Sequence, residues 1–196
     1  MIMEDEFQNL PPLILASKSP RRDELLKQMG LEFQVMASRA PESHQEHLSP
    51  FEIVQLNAHR KARAIAKKFP DNLVLGADTI VYLNGAVFGK PKDRKAALEM
   101  LKKLQGKTHT VVTGVALIQL RSHKERLFAE STEVTFKSLT EEELRDYLAK
   151  VDPRDKAGGY GIQESGEMLV DHLNGLKSNV IGLPVERLEA ELKNWA

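Results

Sequence analysis

The sequence predicts an α/β fold built on a mixed sheet. Short apolar runs of strand length alternate with amphipathic stretches of helical period along all 196 residues, the pattern of strands interleaved with helices. The connections are of two kinds, helical crossovers and a tight Asn84-Gly85 hairpin turn, and these join parallel and antiparallel neighbours respectively. Leu73 to Ala77 is apolar throughout, as expected of a strand covered on both faces at the centre of a sheet.

Leu13 to Ala16 reads as a short buried strand. Ser19 then offers an N-cap, Pro20 a first helical residue and Gly30 a C-terminal cap, which frames a helix between them. Arg21 and Arg22 fall in its first turn, where the helix dipole disfavours a cation by about 0.3–1 kcal/mol. Backbone N–H groups point outward at the same end, so two guanidinium groups there make an anion pocket. The plainer alternative is a solvated turn on which Asp23 and Glu24 balance the arginines.

Phe33 to Met36 reads as a strand, and Ala37 to Leu48 has the composition of a polar loop carrying Glu42, His44, Glu46 and His47. Ser49-Pro50-Phe51-Glu52 is a capping box that opens a helix to about Lys68, stopped by Pro70. Ile53, Val54, Ala58, Ala62, Ile65 and Ala66 form its apolar face. Lys61 lies beside Ala58 and Ala62, where a lysine either snorkels along apolar surface or turns its ammonium into a site.

Beyond Leu73–Ala77, Ile80 to Leu83 continues the extended run, Asn84-Gly85 turns it, Ala86 to Phe88 returns, and Gly89-Lys90-Pro91 ends it. Asp93 caps a helix with Ala97, Leu98, Leu101 and Leu104 inward, closed by Gly106. Thr110 to Leu120 and Leu127 to Phe136 read as long antiparallel partners across a charged loop. Thr140 to Glu143 is a second capping box, opening a helix to about Lys150. A glycine-rich loop follows at Asp155 to Gly161, then a short strand at Met168 to Val170, and Pro184 starts a C-terminal helix to about Asn194.

Lys and Arg number 28 and so do Asp and Glu, for a formal net charge of zero. That balance argues against general binding to nucleic acid or to an anionic membrane. Cysteine is absent, which excludes disulfides and thiolate metal sites and fits a reducing compartment. Met1 to Glu6 is acidic and lacks the apolar core of a signal peptide, and no apolar run reaches the roughly 18–20 residues of a membrane span. A cytoplasmic protein is expected.

Asp78 closes the apolar run at Gly76-Ala77. A buried aspartate is costly unless it is used or paired, and ligands bind off the carboxyl ends of strands in open α/β sheets. Such a group suits a hard cation or the proton of a water; the alternative is a turn aspartate satisfied by nearby N–H groups. Lys90 offers a point charge to phosphate beside a glycine that permits close approach. In the 155–163 loop, glycines allow backbone approach, Tyr160 could stack on a base, and the Gln163 amide could read a base edge. The histidines suggest no metal frame: His44 and His47 read as exposed, and His59, His109, His123 and His172 are scattered.

Leu15–Arg22, Gly76–Thr79, Gly89–Pro91, Asp155–Gln163 and Val180–Pro184, taken in this order, resemble the Maf family of nucleoside triphosphate pyrophosphatases. The likeness extends from Leu13 to about Leu192. It implies a two-lobed mixed-sheet α/β fold with a deep central cleft, similar to inosine triphosphate pyrophosphatases, in one domain of residues 13–196 behind an N-terminal extension of residues 1–12. Members are often homodimers. The resemblance further implies hydrolysis of a nucleoside triphosphate to a monophosphate and pyrophosphate with a divalent cation, Mg²⁺ or Mn²⁺. By position, Asp78 would be the proton acceptor, and Arg21, Thr79 and Gln163 the specificity residues. Ser17, Arg21, Arg22, Lys61 and Lys90 would bind phosphate, and Asp78 with Glu42 the metal. The family often has Asp-Glu where this chain has Pro41-Glu42. Thr79 and Gln163 fit the branch acting on dTTP and UTP; the sister branch acting on 7-methyl-GTP usually has Ser-Asp-Gln in place of Ala77-Asp78-Thr79. The alternatives are a 7-methyl-GTP or other modified-nucleotide pyrophosphatase, and a nucleotide-binding regulator of cell division with little turnover.

Overall fold

A computed structural model of the protein describes residues 7, 9–43 and 47–195. The expectations for His44 and Glu46, and for residues 1–6 and 8 of the N-terminal extension, lie outside the described residues. The elements run β1 (Leu13–Leu15), α1 (Pro20–Gln28), β2 (Phe33–Val35), α2 (Pro50–Ala66), β3 (Leu73–Leu83), β4 (Ala86–Phe88) and α3 (Arg94–Leu104). Then follow β5 (Thr108–Gln119), β6 (Lys124–Phe136), α4 (Glu141–Lys150), β7 (Val170–Asn174), α5 (Lys177–Ile181) and α6 (Val185–Lys193). Among the described residues no helix is long and apolar enough to cross a membrane.

The strands form a seven-stranded mixed sheet in the order β2-β1-β3-β5-β6-β7, with β4 paired to β3. β1 is parallel to β2 and to β3, whereas β3–β4 and β6–β7 are antiparallel. Local chemistry accounts for most element ends. Both capping boxes form, at Ser49/Glu52 and at Thr140/Glu143. Asn84 and Gly85 both take positive φ, 49° and 84°, as the expected two-residue hairpin turn requires. Gly30, at φ +73°, ends α1; its N–H donates to Lys27 O and that of Leu31 to Leu26 O, the paired bonds of a Schellman motif.

Several expectations are corrected. Ser19 stands at the N-cap of α1 but its side chain makes no capping bond; Ser17 Oγ accepts from Ser19 N at 3.2 Å instead. The apolar Met168-Leu169-Val170 triplet is not a strand: Gly166–Met168 is a 3₁₀ turn that buries Leu169, and β7 begins at Val170. The short helix α5 and a 3₁₀ turn at Ala157–Gly159 were not expected. Asp78 lies within β3 rather than at its end.

The chain forms two compact units. The first comprises Met1–Asp78, Thr113–Glu130 and Gly182–Ala196. Here Ala58, Ala62, Ile65 and Ala66 of α2 pack on Ile14, Ala16, Val74, Ala116 and Ile118. Two glycines let the helix press directly on the strands. A Cβ at Gly76 would lie 2.7 Å from Ala62 N and closer still to Ala58 O, and one at Gly114 would lie 2.5 Å from Val54 C.

The second unit comprises Thr79–Val112 and Ser131–Ile181. Ala97, Leu98, Leu101 and Leu104 of α3 pack with Leu144, Tyr147 and Leu148 of α4 over Val81, Val111, Val134 and Phe136. His109 is not one more surface histidine: it is 2% exposed, and its Nε2 lies 2.7 Å from Tyr160 Oη. Both rings meet Phe136 edge-on at 4.8 Å between centroids. Tyr160 is thus a core residue, and the expected base-stacking role for it is overturned.

Burial pushes the His109 imidazole down from 6.5 to about 4. Above the unfolded value the ring is neutral in both states. As pH falls from 6.5 toward 4, the unfolded chain takes up a proton that the folded chain refuses, so stability is lost. The shift is equivalent to roughly 3 kcal/mol at most. Urea denaturation at pH 7.5 and at pH 4.5 should show a loss that is smaller in His109→Gln. An equal loss in both proteins would count against it.

Candidate active site

The site is built where β1 ends. The last register pair between β1 and β3 is Leu15 with Leu75, and the chain then leaves through Ser17-Lys18-Ser19 into α1 while β3 runs on to Asp78. This is the carboxyl end of β1, beyond which β3 continues without β1 beside it, the kind of strand end off which ligands bind in open α/β sheets. Arg22, in the first turn of α1, is buried. Its Nε donates to Gly182 O at 2.7 Å and Nη1 donates to Ser17 Oγ at 3.1 Å. Burial lowers the Arg22 guanidinium below its ordinary value; the negative charges of Asp78 and Glu42 oppose that effect and Arg21 adds to it. Arg21 is half-buried beside it.

Asp78 is 5% exposed and is held from two positions on α2. Lys61 Nζ donates to Oδ1 at 2.7 Å and Asn57 Nδ2 donates to Oδ2 at 2.9 Å. Lys61 Nζ also lies 2.7 Å from Glu42 Oε1 and 3.4 Å from Ala77 O. The ammonium therefore turns into the site and bridges two carboxylates. Asn57 was not expected there. Sorting α2 into an apolar face and a charged face passes over a buried amide, yet Asn57 and Lys61 stand four residues apart on one side of the helix, and that spacing was its signal.

The structure thus brings together Ser17, Arg22, Glu42, Lys61 and Asp78, with Asn57 added. Thr79, Lys90 and Gln163 belong to the second unit. There Thr79 is half-buried, and Lys90 and Gln163 are exposed. Gly158 N donates to Gly89 O at 3.0 Å, joining the glycine-rich segment to the Gly89-Lys90-Pro91 turn. Gln163 is flanked by two anchors. Gly161 N donates to Tyr147 Oη at 2.9 Å. Lys156, 4% exposed, donates to Asp152 O and Asp155 Oδ1, each at 2.8 Å, and pairs with Glu164 Oε1 at 3.0 Å.

Among the described residues no three carboxylate or imidazole side chains gather into a metal cluster. The pair Asp78 and Glu42 nevertheless suits a hard divalent cation. Their oxygens converge on one ammonium, and Mg²⁺-type ions are commonly held by one or two carboxylates together with substrate phosphates.

Residues 12–195 match the family model for Maf-like proteins. The chain is 48% identical over 183 residues to the dTTP/UTP pyrophosphatase of Pelotomaculum thermopropionicum, covering 93% of this chain and 96% of that protein. It is 49% identical over 182 residues to the dTTP/UTP pyrophosphatase of Bacillus cytotoxicus, covering 93% and 94%. Among solved structures it resembles a HAM1 protein from Coxiella burnetii, with a TM-score of 0.55 at 15% identity over 94% of this chain and 100% of the other. That likeness is one of fold alone. From the match over nearly its whole length and from the close relatives, the chain belongs to the Maf-like protein family.

Proposed function

We propose that this protein hydrolyses dTTP and UTP to the monophosphate and pyrophosphate. The observation that carries the proposal is the buried Asp78 carboxylate held by Lys61 and Asn57, in a chain 47–49% identical to proteins named dTTP/UTP pyrophosphatase. Residues 13–196 act as one nucleotide-handling domain, in the cytoplasm, and the family's homodimer is the expected assembly.

A water attacks the α-phosphorus. A new P–O bond forms, the bridging bond to the β-phosphate breaks, and the electron pair leaves with pyrophosphate. Asp78 orients that water and takes its proton. A divalent cation, Mg²⁺ or Mn²⁺, held by Asp78 and Glu42, supplies neutralisation of the phosphate charge when bound. Arg22 is fixed in orientation by Ser17 and Gly182, so its charge is placed before the reaction begins. Such preorganised charge carries most of the catalysis in phosphoryl transfer. Arg21, Lys61 and Lys90 add positive charge for the phosphates, and Ser17 a hydroxyl.

Arg21, Thr79 and Gln163 set base choice, because a wrong base leaves a polar group unpaired. A panel of dTTP, UTP, CTP, GTP and 7-methyl-GTP with Mg²⁺ or Mn²⁺, read by pyrophosphate release, tests the proposal. dTTP and UTP should exceed the others in kcat/KM. Preference for 7-methyl-GTP would overturn the substrate assignment, and tight dTTP binding without pyrophosphate would point to a regulator. Gln163→Ala should narrow the dTTP/GTP ratio by about tenfold or more; an unchanged ratio removes Gln163 from base reading.

A further inference from the structure

Asn57 is 1% exposed and uses both ends of its amide. Oδ1 accepts from Ser43 N at 2.7 Å, while Nδ2 donates to Ser43 O at 3.1 Å and to Asp78 Oδ2 at 2.9 Å. Leucine shares its branching at Cγ and would present only apolar atoms beside Val54 and Ala58, so an apolar helix face alone calls for no amide at this position. Ser43 directly follows Glu42. One planar group therefore ties the backbone beside one carboxylate to an oxygen of the other.

Lys61, a turn further along α2, bridges the same two carboxylates at 2.7 Å each. An ammonium attracts them but, as a point charge on a flexible stem, sets no direction. The amide's two bonds to the backbone N–H and C=O of one residue, Ser43, do set direction. We infer that Asn57 is a positioning residue that fixes Glu42 relative to Asp78 for a divalent cation. The inference rests on the metal-assisted reaction proposed above. Partners that orient ligating carboxylates typically govern metal affinity by about 10–100-fold.

Mn²⁺ binding, titrated by electron paramagnetic resonance without nucleotide, tests it apart from turnover. Asn57→Leu should bind Mn²⁺ about tenfold more weakly than wild type. In a Glu42→Gln background the same change should cost clearly less, because only the bond from Asn57 to Asp78 is then left to lose. Equal losses in both backgrounds, or no loss in either, would overturn the assignment. If Asn57→Leu fails to fold, amide exchange of the wild type decides. The Ser43 N–H should be protected well above that of Arg39, and equal exchange rates would refute the link. Should wild type bind no Mn²⁺, the inference fails. Should it bind Mn²⁺ and hydrolyse none of the panel, the proposed function fails and the positioning role stands.

Discussion

Asp78→Asn should lower the rate of pyrophosphate release from dTTP by about 10³-fold or more while leaving the protein folded. A positioned general base contributes about 10²–10⁴-fold, and the same side chain is proposed to hold the divalent cation. The amide keeps the shape of the carboxylate and an acceptor for one donor. It loses the charge that faces Lys61 Nζ at 2.7 Å and that acts on the Arg22 guanidinium. Breaking a buried ion pair typically costs about 3–5 kcal/mol. Lys61 retains Glu42 at 2.7 Å, so the stability loss should fall below that range. Steady-state kinetics beside thermal melts separate the two effects. A folded Asp78→Asn protein with more than a tenth of wild-type kcat would end the assignment of Asp78 as base.

Gly76→Ala should destabilise the fold by about 3 kcal/mol or more, at or beyond the upper end of ordinary overpacking. The added methyl meets backbone, Ala58 O and Ala62 N, rather than the end of a flexible side chain. Either β3 or α2 must move. Because Asn57 and Lys61 ride on α2 and Asp78 on β3, whatever fold survives should also lose activity. Gly89→Ala is the control, since a Cβ there meets nothing within 4 Å. Urea denaturation should place Gly89→Ala within about 1 kcal/mol of wild type. Similar midpoints for the two variants would refute the close-packing argument.

The parts of the fold legible in the sequence were those set by neighbouring residues. The Ser49 and Thr140 capping boxes, the Asn84-Gly85 turn and Gly30 beyond α1 each involve contacts over a few positions, so composition and spacing suffice. The parts not legible depend on distant partners. Helical period placed Lys61 at the margin of an apolar face, but the choice between snorkelling and ion pairing was decided by Asp78, 17 residues on. Tyr160 in a glycine-rich run looked available to a ligand. Its partner His109 lies 51 residues earlier, and together with Phe136 it draws the ring into the core. Helix α5, five residues long, is too short for a period to show. Of the candidate site, Asp78 was legible as a carboxylate costly to bury without a partner and Arg22 as a cation in a helix's first turn, whereas Ser17, Glu42 and Lys61 were assigned only through the family resemblance. Asn57 was missed, because an amide carries no charge to draw notice.

The bond from Arg22 Nε to Gly182 O spans 160 residues of sequence. On a ribosome the chain emerges from its N-terminus, so β1 and α1 leave the tunnel long before Gly182. The buried guanidinium can reach its final orientation only after Gly182 has emerged. Nascent chains that stop before Gly182 carry all of Asp78, Lys61 and Glu42 but not the carbonyl that fixes this cation, and full preorganisation of the site waits for the segment that carries Gly182.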